Sequence, residues 1–561
     1  VIPSVLGQPA VFRLTDDDHL PVDLSVRERR LLVGALNFHA LMAPGRSLTV
    51  HAYDGHWDTL PRTTDDATFD GLSRQFRHRL FTVGMASDVT PDASASTEGR
   101  HDALALADGD VRHVHISRDD VLQYDPPREM PTDLVRRGLR VIRARTPLLY
   151  DEARDVELLR HRRSLTHRAE RRDYLREFAP GGIHADGVVV PAQPAPEGAP
   201  RAVIIGLHWF ELGGAERWAF ETVRLVREAG FLPIVLTNRD SHQPWIGRPE
   251  LDDALIIPFS EPTVRSQTSG VEELLSALLR TFDVRGVVVH HNQWLYDRLH
   301  WISLSRPGIP IIDSTHIVEY RGGGFPHSSV RVEEVITRHH VISPTLERWM
   351  VQTQGVAPEK VVMAPLAGLT VDASVAEFRP RPDGDPFTVA FVGRMARQKA
   401  PEVFLAMVHR LQPEQAPMRF IMHGDGELSS WADDLIAAYG LQGVVERRDS
   451  AVPVDHTLAE AHVLVVTSHN EGLTLTTLEA ISHGVPVIST DVGAQSDIIP
   501  SRALVSRNVH LAVRQAARKV AWLAGDESAR EELWRDERHA EHKLLSATPA
   551  SEWFTQEVGS W

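Results

Sequence analysis

Beyond residue 200 the chain alternates short apolar runs with amphipathic stretches of helical spacing. Arg201 to Leu207 reads as a strand, Glu216 to Ala229 as a helix and Leu232 to Thr237 as a strand. Helix Val271 to Thr281 follows, then strands Val284 to His290, Ile309 to Ser314, His339 to Ser343 and Lys360 to Ala364. The alternation restarts at Phe387 with strand FTVAFV, helix Pro401 to Leu411, strand Arg419 to Gly424 and helix Ser430 to Tyr439. It ends with strand Val463 to Thr467, helix Leu475 to His483 and strand Val485 to Ser489. Strands bounded by turn residues and separated by helices predict parallel sheets covered on both faces. Two such units in tandem, residues 201–365 and 366–525, would leave a cleft between the carboxyl ends of their strands, where folds of this kind bind ligands.

The first 180 residues lack that rhythm. Ser47 to Ala52 and Val111 to Ile116 read as strands, and Leu134 to Arg145 and Asp151 to Phe178 as arginine-rich helices. Residues 181–200 are dense in Pro, Gly and Ala and read as a linker, and residues 526–561 as a helical segment. The expected fold class is therefore α/β, with two Rossmann-like domains facing across a cleft and an α+β N-terminal extension.

A chain of 561 residues exceeds one hydrophobic core, and the absence of cysteine removes thiolate chemistry and sulfur-ligated zinc. Net charge is −16, which disfavours broad binding of nucleic acid. No run approaches the ~20 apolar residues of a membrane span, so the expectation is a cytoplasmic protein. The arginine-rich segment Leu134 to Phe178 is expected to pack on the catalytic domains or on a second subunit, because interspersed acids dilute its attraction to lipid, with peripheral contact at the inner face of the membrane as the alternative. Only four of sixty basic residues are lysine, so Lys399 stands out where it falls.

The most informative segment is Ser468 to Ile499. A strand ends at Thr467, a polar loop carries Glu471, Gly472 and Leu473, and a helix begins near Thr474 and Leu475 with Glu479 inside it. A helix N-terminus offers free amides and partial positive charge, suited to a diphosphate or sugar hydroxyls. Glu471 at the mouth can accept from sugar hydroxyls and Glu479, deeper, from a ribose. Taken alone, such a pair is no more than a surface acid and a helix-face acid. Three other segments flank it: Gly393-Arg394-Met395-Ala396-Arg397-Gln398-Lys399 after a strand, the turn Gly424-Asp425-Gly426, and Gly206 through Gly213-Gly214-Ala215-Glu216-Arg217. Glycines in the last would let main chain approach a phosphate. Acidic clusters such as Asp16-Asp17-Asp18 lie in turn-like contexts, and no metal site is expected.

Glu471 through Glu479, followed by Gly484-Val485-Pro486-Val487 and Asp491-Val492-Gly493, resembles the E-x7-E signature of the retaining GT-B glycosyltransferases of family four. Thr474, Ala494 and Asp497 depart from the family's usual residues. The resemblance covers roughly residues 201–561. It implies a retaining transfer of sugar from a nucleotide-sugar donor, UDP-sugar favoured, to a glycan, lipid-linked or protein acceptor, with no further cofactor. It also implies that Arg394 and Lys399 grip the donor diphosphate and that His316, just past a strand, faces the donor sugar. Glu471, His316, Arg394 and Lys399 are then the expected catalytic residues. Glu479, Gly472, Leu473, Thr474, Leu475, Gly213, Gly214 and Gly424 are the expected donor-binding ones. A catalytically silent protein of the same fold that binds a partner enzyme, and a nucleotide-sugar epimerase, are the competing readings.

Overall fold

The protein was analysed as a computed structural model. It describes residues 3–16, 20–21, 23–55, 59–63, 78–91, 109–123, 134–149, 167–171, 192–211, 213–258, 272–319, 323–367, 376–411 and 417–561. Helix Asp151 to Phe178 and the linker 181–200 fall largely outside these residues, apart from 167–171 and 192–200.

The first parallel sheet has seven strands, in the spatial order Val361–Met363, Arg338–Val341, Ile311–Thr315, Asp283–His290, Arg201–Gly206, Leu232–Leu236 and Leu255–Ile257. The second has six, ordered Val445–Arg448, Met418–His423, Phe387–Val392, Val463–Val466, Val487–Thr490 and Leu504–Val505. In each sheet the chain starts in the middle, runs to one edge, then returns to the other side of its first strand. The order therefore reverses beside Arg201–Gly206 and beside Phe387–Val392, and the loops leaving those strands diverge to open a crevice. This is a GT-B arrangement of two Rossmann-like domains. The strands are Val, Ile and Leu runs because both faces are covered; Val203, Ile204, Ile205, Val287, Val288 and Val289 are all fully buried.

The C-terminal helices fasten both domains. Helix Glu527–Leu545 lies on the second domain, where Trp534 Nε1 donates to the Ile481 carbonyl at 2.8 Å. Helix Ala550–Gly559 crosses back to the first, with the Trp553 ring stacked on His340 at 5.2 Å.

Residues 3–123 are no appendage. An antiparallel sheet of Phe12–Asp16, His78–Ser87 and Ser47–Asp54 is extended by Val111–His115, which pairs in parallel. Helix Val26–Met42 lies between that sheet and the edge strand Leu255–Ile257, and its apolar residues join one continuous core with the first Rossmann-like domain. A methyl group at Gly34 would stand 2.3 Å from the Pro258 ring. Two buried arginines of this helix reach across: Arg27 donates to the carbonyls of Ser117 and His242, and Arg30 to those of Ile246 and Arg248 at 2.7 Å each. Helix Leu134–Arg145, by contrast, lies beside Ser429–Ala438 with Leu134, Val141 and Ile142 exposed. No helix among the described residues is long and apolar enough to cross a membrane.

Candidate functional site

On the second domain, two loops leave adjacent strands at the point where the strand order reverses, and they are fastened together. Thr467 Oγ1 donates to the Lys399 and Ala400 carbonyls at 3.0 Å, the His469 amide to the Gln398 carbonyl at 2.8 Å, and Gln398 Nε2 to the Asn470 carbonyl at 2.9 Å. Below them Arg397 pairs at 2.9 Å with Glu402, which is fully buried. The result fixes Lys399 against Glu471, with Nζ to Oε1 at 2.6 Å, while Ser468 Oγ donates to the same oxygen at 2.5 Å. Such a charge-assisted pair orients the carboxylate and holds an ammonium at the cleft mouth.

Glu471 through Thr474 are largely buried, and their path depends on glycines. A methyl group at Gly493, whose φ is +58°, would fall 1.7 Å from the Glu471 carbonyl oxygen. Thr474 occupies the N-cap of helix Leu475–Ser482 without capping it; its hydroxyl instead accepts from Gln495 Nε2 at 2.5 Å. The first amides of that helix are left without a side-chain cap, as an anion site requires. Glu479 lies in the helix, half-buried, and Arg217 from the first domain approaches it at 3.4 Å. Burial raises the Glu479 pKa, and the Arg217 charge opposes that rise.

Arg394 is exposed at the end of Phe387–Val392. Its loop is shaped by the Gly424 turn: a methyl at Gly424, φ +127°, would meet the Gly393 carbonyl at 2.2 Å, and the Met395 amide donates to the Asp425 carbonyl at 2.7 Å. In this structure Gly424 buttresses the Arg394 loop with its backbone.

The first domain presents the loop after Arg201–Gly206 and the ends of Asp283–His290 and Ile311–Thr315. Gly213 precedes helix Gly214–Glu228, and a methyl there would collide with the Glu216 carboxylate at 2.0 Å. Gly214 packs toward Leu475 of the other domain, 3.1 Å from its Cδ1 to an added methyl. The Glu216 carboxylate accepts from Trp209 Nε1 at 3.1 Å. Burial raises its pKa, against hydrogen bonds from its own backbone and from Trp209 and the charge of Arg394 across the cleft. His316 is buried with Nε2 3.2 Å from Ser314 Oγ, its pKa pushed well below normal by burial and by neighbouring His291, His340 and His290. It is a neutral hydrogen-bonding ring. Its carbonyl sits over Gly472, where a methyl would approach to 2.2 Å.

The cleft thus brings Lys399, Glu471, Gly472 and His316 together, with Arg217 and Glu479 meeting beside them. His290 serves packing instead, bonded to Thr222 Oγ1 at 2.9 Å.

Residues 386–526 match the family model described as Glycosyl transferases group 1. The chain is 30% identical over 253 residues to a D-inositol 3-phosphate glycosyltransferase of Streptosporangium roseum, covering 39% of this chain and 58% of that protein. It is 25% identical over 331 residues to a D-inositol 3-phosphate glycosyltransferase of Thermobispora bispora, covering 50% of this chain and 75% of that protein. A crystal structure of a glycosyltransferase from Rickettsia africae is 13% identical, with a TM-score of 0.49, over 64% of this chain and 96% of that one.

The group 1 domain coincides with the second Rossmann-like domain and holds Arg394, Lys399, Gly424, Glu471 and Glu479. Within it, sequence reasoning passed over Ser468 and Gln495, the residues that hold Glu471 and Thr474. Ser468 was findable, three positions before Glu471 in a polar loop; Gln495 had no local signal. Outside the group 1 domain it passed over Trp209 and gave no role to Glu216, which lies in the glycine-bearing loop after the first strand.

Proposed function

We propose that the chain is a retaining glycosyltransferase that moves a sugar from a nucleotide-sugar donor, a UDP-sugar by preference, to an acceptor hydroxyl. The observation that carries this reading is the Lys399–Glu471 pair at 2.6 Å beside an uncapped helix N-terminus, inside the group 1 domain and facing the first domain. The donor diphosphate binds Arg394, Lys399 and the amides at Thr474 and Leu475. Lys399 turns from Glu471 to the phosphate, and the freed carboxylate accepts from donor-sugar hydroxyls. Glu479 accepts from the ribose, displacing Arg217. As the anomeric bond breaks, negative charge grows on the leaving diphosphate, and fixed cations and amides stabilise it without reorganisation. The diphosphate oxygen takes the proton of the incoming acceptor hydroxyl on the same face, so configuration is retained. His316, neutral, closes the sugar site against Gly472.

The match to D-inositol 3-phosphate glycosyltransferases supports the transferase reading over a silent binding protein or an epimerase. The whole-chain acceptor, and any membrane contact through the exposed helix Leu134–Arg145, belong to this proposal as well. A thermal-shift screen of UDP-, GDP- and ADP-sugars tests it: a ligand at about a hundred times its dissociation constant stabilises by ~2.7 kcal/mol. Stabilisation by a UDP-sugar, with release of UDP in the presence of an acceptor, is expected; no response to any of the three classes would refute it.

A further inference from the structure

The first domain's wall of the cleft carries a feature that the donor chemistry does not use. Trp209 and Glu216 lie on either side of the Gly213–Gly214 turn, joined by the indole N–H donating to Glu216 Oε1 at 3.1 Å. Gly213 leaves room for the carboxylate, since a methyl there would stand 2.0 Å from Oε2. Trp209 is half-buried, its ring meeting His208 at 4.8 Å in an edge-type contact, and no other described ring stacks on it. Phe325, on the same wall, is instead covered by His291, stacked at 4.8 Å. A carboxylate offers about four acceptor positions, and the indole and the Glu216 backbone account for two.

We infer that Trp209 and Glu216 form the acceptor subsite and that the acceptor group is a neutral hexopyranose, its C–H face on the Trp209 ring and a hydroxyl donating to Glu216. A pyranose has one apolar face and a rim of donors, which an aromatic ring next to a fixed carboxylate matches. The pair is at the right depth. Arg394 of the donor loop lies within electrostatic reach of Glu216, and Gly214 abuts Leu475, so a sugar held here lies beside the donor phosphates.

The charge of this wall selects against an anionic acceptor. Glu211 lies near Glu216 and Glu319 within reach of Arg239, while Arg394, the other cation acting on Glu216, is taken up by the donor diphosphate in the reading above; His208 itself is neutral, its pKa lowered to about 3 by burial first and by Arg239 and His291. A phosphorylated polyol, the acceptor named for the Streptosporangium roseum relative, meets carboxylates here.

This inference rests on the donor reading above, and the test separates the two. The full chain is saturated with UDP, and methyl glucosides, galactosides and mannosides of both anomers are titrated by ligand-observed NMR, with D-inositol 3-phosphate as the anionic probe. At least one glycoside is expected to bind saturably, Trp209→Ala to weaken it by about tenfold and the isosteric Glu216→Gln by a few-fold, with UDP affinity within about twofold of wild type. Glycoside binding unchanged in both variants, binding of the inositol phosphate alone, or binding of no probe while UDP still binds would overturn the subsite and leave the donor reading intact. Failure to bind UDP, GDP and ADP alike would overturn both.

Discussion

The two walls of the cleft are built by different means. The wall on the second domain, residues 387–525, is held largely by backbone: glycines whose added methyl would meet main chain, carbonyls that receive Thr467, Gln398 and Thr490, and the ion pairs Lys399–Glu471 and Arg397–Glu402. The wall on the first domain is held by side chains, in a layer of His208, His291, His316, Phe325 and Trp209 that is neutral and largely packed. A backbone-built site constrains sequence at fixed spacings and so leaves a motif. A side-chain-built layer constrains only volume and polarity, and leaves no motif beyond the glycines of the Gly213–Gly214 turn.

That contrast can be broken most severely from outside the cleft. The apolar residues of helix Val26–Met42 belong to the core of the first domain, so a protein starting at Ala202 would expose Leu255, Ile256 and Ile257 on its edge strand. Aggregation on expression is the expected result. A soluble truncated monomer that still binds UDP would show that the first domain does not need the residues before Ala202.

Next in size is Gly493→Ala, which places a methyl against the Glu471 carbonyl at a backbone conformation that L-residues disfavour. A loss of about 3 kcal/mol is expected in thermal or urea unfolding. A comparable substitution on the other wall, His291→Asn, keeps an αL-tolerant residue at φ +52° and is expected to cost less. Equal costs would remove the distinction between the two walls.

Smaller effects follow for charge. Lys399→Ala deletes a charge-assisted contact of roughly 1.5–3 kcal/mol, about ten- to 150-fold in turnover with a UDP-sugar. Steady-state kinetics at saturating donor measure it.

The smallest concerns stability alone. Glu537 is fully buried, accepts from the Val487 amide at 2.9 Å, and has its pKa raised well above normal by burial. Because the folded state holds that proton more tightly than the unfolded one, the associated stability is present below the ordinary glutamate pKa and is lost as pH rises through the folded value. Glu537→Gln should therefore gain in melting temperature relative to wild type as pH increases from 4 to 8, by a few degrees at most. A constant difference would place the Glu537 proton elsewhere.

The same contrast explains what could be read from the chain. Strands such as Phe387–Val392 and helices such as Pro401–Leu411 were legible within a residue or two, because a buried parallel strand is a continuous apolar run and its helix an amphipathic one. Glu471, Glu479, Arg394 and Lys399 were singled out through the resemblance to a family signature, and the structure sets Lys399 against Glu471. Short edge strands, Leu255–Ile257, Val445–Arg448 and Leu504–Val505, gave no run long enough to register. Helix Val26–Met42 was missed although Ser25 and Glu28 form a capping box, because it is buried around most of its circumference and shows no polar stripe. Trp209 could not be assigned, since nothing in the sequence says which side of a loop after a strand faces the other domain.

The central claim is that Glu471 and Glu479 hold opposite ends of one nucleotide-sugar donor. Calorimetric titration of UDP into wild type, Glu471→Gln and Glu479→Gln, paired with UDP-sugar turnover, tests it most directly. The account predicts that Glu479→Gln weakens UDP by about tenfold, while Glu471→Gln keeps UDP affinity and loses turnover. Equal losses of UDP affinity in both variants, or no UDP binding by wild type, would contradict it.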